Sequence, residues 1–218
     1  MRSSVWGLAA VLVLGGLSVA ARPAAAQVYN NGAPNAANGN EMTEWIQAED
    51  FTLPTTTDIT GVRFWAFDQF VTSYQGSIVW TLYGNGGTNP GAILDRNNLV
   101  PTRVFDHNTP FGPSYQYDFG TGGVTLGPGT YWLGLHNGPL TTTSRENTYW
   151  ETTDPNATTR GNEDITPFDD ASWSNNGQEH AFELFGETTA VVPEPGSLAL
   201  LASGGLPLFG LLRRRKRA

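Results

Sequence analysis

Short apolar runs with a period of two, each bounded by turn-forming residues, constrain this chain more than any other feature. In ITGVRFWAFD an extended backbone puts Val62, Phe64 and Ala66 on one side and Arg63, Trp65 and Phe67 on the other. SIVWTLYG separates Ile78, Trp80 and Leu82 from Val79, Thr81 and Tyr83. GTYWLGLHNG separates Tyr131, Leu133 and Leu135 from Trp132, Gly134 and His136, the last read as a surface or turn residue. AFELFG turns Phe182 and Leu184 inward and Glu183 outward. Weaker strand patterns surround Trp45 to Phe51, Leu99 to Phe105, Tyr115 to Phe119 and Tyr149 to Thr152. Asn85-Gly86, Asn137-Gly138, Asn176-Gly177, TNPGA and LGPGT punctuate them as turns. No stretch sustains a helical period, whereas a parallel α/β fold needs helices of about ten to fifteen residues between strands. About eight short strands at this spacing predict an all-β fold, an antiparallel β-sandwich of jelly-roll type.

The two ends have a different character. Arg2, the apolar run VWGLAAVLVLGGLSVA and Ala24 to Ala26 read as a secretory signal peptide over residues 1–26, routed through the Sec translocon. VYNNGAPNAANGN, within residues 27–40, is turn-forming and weakly hydrophobic and reads as a flexible mature arm. Residues 41–188 are the β-sandwich domain and 189–195 a proline-bearing linker. Residues 196–212 form an apolar segment and 213–218 a basic cytoplasmic tail.

Charge follows the same division. Between Gln27 and Val192 five basic residues face nineteen acidic ones, a formal side-chain charge of −14. Nucleic-acid binding is set aside, because phosphate recognition needs clustered Lys and Arg. The chain has no cysteine, which excludes disulfides, cysteine zinc sites and thiol catalysis. A body of this size still buries about 70% of its unfolded surface.

Gly196 to Leu212 contains no charge over 17 residues, about 26 Å as a helix and at the short limit for the hydrocarbon core. Gly204, Gly205 and Pro207 weaken it as a permanent span, and Arg213 to Arg217 mark its cytoplasmic end. The acidic body is then expected outside, with transient insertion in the inner membrane. VPEPGSLALL, the glycine-interrupted apolar stretch and the basic terminus together resemble the PEP-CTERM sorting signal. The resemblance assigns Pro193, Glu194, Pro195, Gly196 and Ser197 to the recognition motif and Arg213, Arg214 and Arg215 to the orienting tail. It implies processing by an exosortase, a membrane-embedded cysteine transpeptidase-like enzyme, in bacteria that make extracellular polysaccharide. Export to the cell surface or the medium follows as an expectation.

The body is also similar to the choice-of-anchor type of β-sandwich module, through QAEDFTLPTTTDITGVRFWAFD, WTLYGNGGTNPG and GTYWLGLHNG. IQAEDF resembles the opening of some carbohydrate-binding jelly rolls, where a glutamate helps hold a structural calcium. That resemblance makes Glu49 the matching position, and with Asp50, its partner in an acidic pair, it is the candidate metal site, solvated loop charge being the other reading. Trp65 and Trp132 lie opposite the aliphatic faces of their strands, and Trp150 and Trp173 flank a long polar segment. These four rings are candidates for stacking on sugars or for packing. G-x-S-x-G and H-E-x-x-H are missing, and His107, His136 and His180 show no ligand spacing. The expected function is a secreted, non-enzymatic structural or adhesive component of the extracellular polysaccharide matrix. The alternatives are a carbohydrate-binding module and a hydrolase of unrecognised type.

Overall fold

The computed structural model describes residues 25–70, 73–155, 161–166 and 168–189. Of the signal peptide read over residues 1–26, residues 1–24 lie outside the described residues and Ala26 opens the first strand; the readings of the sorting segment from residue 190 onward also lie outside them. Within them there is no helix; thirteen strands pair antiparallel into two sheets.

The period-two runs supply the centres of both sheets. β3 (Ile46–Leu53), β9 (Gly129–Asn137), β5 (Ile78–Asn85) and β6 (Pro90–Leu99) are neighbours in one sheet, and β11 (Asn162–Asp164) and β12 (Trp173–Asn175) extend it beyond β3. In the other, β4 (Thr57–Asp68) pairs β8 (Pro113–Leu126), which pairs β7 (Thr102–Asn108). The opposite edge of β4 is shared. β13 (Phe182–Thr188) takes Thr57 to Phe64, and β10 (Thr148–Thr153) takes Ala66 to Asp68. The strand that reads as a single run in the sequence thus serves two partners along one edge.

Val62, Phe64 and Ala66 of β4 meet Ile78, Trp80 and Leu82 of β5, Leu133 and Leu135 of β9, and Phe182 and Leu184 of β13 in one buried core. The faces assigned from alternation are the faces observed. A one-residue slip would carry all of them to the opposite face of their strands and out of this core, so its packing also sets the register. Gly138, at φ +84°, and Gly177, at φ +69°, occupy the left-handed backbone that Asn-Gly turns require.

The stretch read as a flexible arm is a correction. β1 (Ala26–Asn30) pairs β13, and β2 (Pro34–Glu41) pairs β10. Small and amide-bearing residues carry no hydrophobic signature, but backbone ladder bonds need none. Tyr29 anchors β1, its ring 5.8 Å from Phe51 and 5.5 Å from Phe182. The single strand expected near Leu99 to Phe105 is two, broken at Val100 and Pro101, where proline lacks the ladder N–H. The chain crosses there from the edge of one sheet to the edge of the other.

Candidate functional site

Glu49 and Asp50 do not form a calcium site. Adjacent strand residues point to opposite faces, so their carboxylates diverge. Glu49 is fully buried on β3, and its Oε2 accepts the His180 backbone N–H at 2.9 Å and faces His180 Nδ1 at 2.8 Å. His180 Nε2 lies 3.1 Å from Asn40 Oδ1, and its ring stacks 4.6 Å from Trp150. Burial pushes the Glu49 carboxyl well above its ordinary value and lowers His180 to about 3. Both shifts disfavour an ion pair and describe a neutral, hydrogen-bonded couple. Calcium wants six to eight oxygens, and Glu49 is already engaged. Among the described residues no group of three or more His, Cys, Asp or Glu is arranged to hold a metal ion.

The tryptophans are also corrected. Trp132 and Trp150 are wholly buried and Trp65 is 8% exposed, which leaves them no open face for a sugar. Trp150 packs in the main core and donates Nε1–H to Ala181 O at 3.0 Å. Trp65 sits where β13 and β10 part along β4. Trp132 belongs to a second cluster with Ala48 and Tyr83, on the face opposite the main core, and Trp173 packs over it. The cover is tied down by Tyr83 Oη, which donates to Asp170 at 2.6 Å, and by Trp173 Nε1, which donates to Asp170 O at 3.1 Å. Alternation separated the two faces correctly; it could not show that a later loop folds back over the second.

No acyl-transfer triad forms at the buried Ser114. Its hydroxyl donates to Glu151 Oε2 at 2.5 Å, and His107 Nε2 reaches the other oxygen of the same carboxylate at 3.0 Å. A nucleophile must bond to the imidazole itself, and here serine and histidine share the acid instead. His136, expected at the surface, is fully buried between Gly138 O and Thr43 O at 2.9 and 2.6 Å. Desolvation lowers its pKa despite those carbonyls. It fastens the β9 end to the segment after β2.

One open feature of the surface is an aromatic cleft on the outer side of the β4 sheet. Phe67 points outward from β4, and Tyr149 stands opposite it on β10, rings stacked at 5.1 Å. Phe111, from the turn between β7 and β8, stacks on Phe67 at 5.5 Å. Asn38, Gly39 and Gln69 complete a cleft of about 180 Å³. Its geometry is built in. Thr109 Oγ1 accepts the N–H groups of Phe111 and Gly112, both at 3.1 Å, which fixes the turn. A Cβ on Gly39 would lie 2.6 Å from Phe67 Cε1, so only glycine lets that ring lie down. Arg145 flanks Tyr149, its guanidinium 6.0 Å from that ring and 5.8 Å from Trp45. Sequence reasoning placed Phe67 on the outer face without singling it out. The one local hint at Phe111 was an aromatic residue inside a Pro-Phe-Gly-Pro turn.

Residues 191–217 match the family model of the PEP-CTERM protein-sorting motif. The chain carries a PEP-CTERM signal. Pro193 to Ser197 and Arg213 to Arg215 fall inside the matched span. A PEP-CTERM signal indicates an exosortase-sorted protein, exported, held at the membrane during sorting and then displayed at the surface. Neither the curated proteins nor the solved structures contain a match to this chain.

Proposed function

We propose that this protein is a non-enzymatic structural and adhesive component of the cell surface or of the extracellular polysaccharide matrix. It crosses the inner membrane through the Sec translocon, pauses on residues 196–212, and is released when an exosortase reads Pro193-Glu194-Pro195. The observation that carries this reading is the PEP-CTERM match placed directly behind a β-sandwich. In support, His107, His136 and His180 and the buried Glu49 and Glu151 are spent on structural bonds. A sandwich without cysteine suits export without dependence on oxidation. The aromatic cleft favours adhesion through sugars over a purely space-filling role.

Replacing Pro193, Glu194 and Pro195 with alanine is expected to leave export intact and to accumulate unprocessed protein in the membrane fraction during a pulse-chase. Processing at the native rate in that variant would refute the sorting step. Intact mass spectrometry of protein from envelope and medium would fix both mature termini.

A further inference from the structure

We propose that the cleft formed by Asn38, Gly39, Phe67, Gln69, Phe111 and Tyr149 seats one uncharged pyranose ring of a neutral polysaccharide. This deepens the matrix reading above and rests on it for the ligand being present outside the cell. Four observations converge. First, the lining holds three aromatic rings, two amides and a glycine, with no charged side chain. An anionic sugar would find no cation in the lining, only the Arg145 guanidinium beside Tyr149, and a body of charge −14 around it; a cationic one would find no carboxylate in the lining.

Second, Phe111 is 44% exposed although one side of its ring is stacked on Phe67. The other side offers the electron-rich face on which the polarised C–H groups of a sugar rest. Third, Asn38 Nδ2 and Gln69 Nε2 donate no hydrogen bond among the described residues, while Asn38 Oδ1 accepts the Gly39 N–H at 2.9 Å. Two exposed amide donors beside an apolar floor match a ring with an apolar face and hydroxyl edges. Few, well-placed polar groups on an aromatic lining are the pattern of small-molecule sites.

Fourth, the floor is preorganised. Thr109 pins the Phe111 turn, and Gly112 lies where a Cβ would come within 2.2 Å of Asp68 O. Little freedom of the Phe111 turn therefore remains to be lost on binding. At about 180 Å³ the recess fits a ring rather than a protein surface, which would need about 800 Å² from each partner.

The test uses full-length protein purified from an exporting host. Its migration is followed in native gels cast with a soluble neutral glucan, galactan or mannan, and with polygalacturonate and chitosan. At least one neutral polymer is expected to retard the native protein. Phe111→Ala is expected to weaken that retardation at least about tenfold and Asn38→Ala several-fold. Asn98→Ala, at an exposed position of β6 in the other sheet, is expected to leave it unchanged. Each variant is first shown to melt within a few degrees of native protein, which the exposure of Phe111, Asn38 and Asn98 favours.

Retardation by none of the neutral polymers, stronger retardation by polygalacturonate or chitosan, or retardation that survives Phe111→Ala would overturn the proposal. So would cross-linking from position 111 to an envelope protein without any response to glycans. Processing in the cell is read separately. Correct sorting without glycan response sinks this site alone, and glycan response without processing sinks the sorting reading alone.

Discussion

Glu49 offers the sharpest test of how the interior is held. Glu49→Ala removes the acceptor of the His180 N–H and the partner of His180 Nδ1, at 2.9 and 2.8 Å, in a site with no solvent access. Two orphaned buried groups at about 1–3 kcal/mol each predict a loss of about 4 kcal/mol. At about 2–4 °C per kcal/mol for a domain of this size, the melting temperature should fall by about 8–16 °C. Glu49→Gln keeps the shape and can donate to Nδ1, but the same atom can no longer accept the backbone N–H, so about 1–2 kcal/mol is lost. Its dependence on pH is more telling. Burial raises the folded-state pKa of Glu49 above the unfolded value of 4.5. The carboxyl's contribution to stability is therefore complete below that value and is lost as pH rises through the folded value. Glutamine does not titrate. The difference in stability, variant minus native, should climb with pH from 4.5 upward, by up to about 1.4 kcal/mol per unit. His180, lowered to about 3, contributes stability in full above 6.5 that is lost as pH falls toward 3. It does so in both proteins and largely cancels. Calorimetry of both proteins from pH 4 to 8 reads the trend. A flat or falling difference would mean that Glu49 is ionised against a protonated His180, and the neutral couple would be wrong.

Three further outcomes are expected. Trp150→Ala should cost about 3–5 kcal/mol, seen as a lower melting temperature, because it empties the core between Phe64 and Phe182 and orphans Ala181 O. A variant that melts like the native protein would restore Trp150 as an exposed ligand-binding ring. Gly39→Ala should cost about 1–3 kcal/mol and change the near-ultraviolet circular dichroism, since its Cβ would displace Phe67 and press on Trp150 O. An unchanged aromatic spectrum would show that the cleft floor is not held by glycine. Chelation with EDTA should move the melting temperature by less than about 1 °C; a larger fall would reinstate a structural cation.

Much of the fold was legible because alternation is a local property. Val62, Phe64 and Ala66, or Trp80 and Leu82, show in adjacent letters which way a strand faces, and the Asn-Gly pairs show where it turns. β2 was illegible for the complementary reason. PNAANGNE has no apolar face, and only the free edge of β10 makes a strand of it. The candidate site fared worse. Phe67, Phe111 and Tyr149 are scattered through the chain, and no spacing rule relates an outward strand residue, a turn residue and a residue three strands later. Glu49, conspicuous in the sequence as an acid next to an acid, turned out to be a buried partner of a histidine 131 positions away.

The chain's own letters carried its sorting motif and its class of architecture. The sorting motif is read linearly by a processing enzyme, and strand period and turn chemistry act over a few residues. Which rings are buried, which carboxylates are neutral and where a cleft opens were decided by tertiary structure alone. Burial and desolvation depend on what folds back over a residue, as the segment bearing Trp173 does over Trp132, and that neighbour is not near in the sequence.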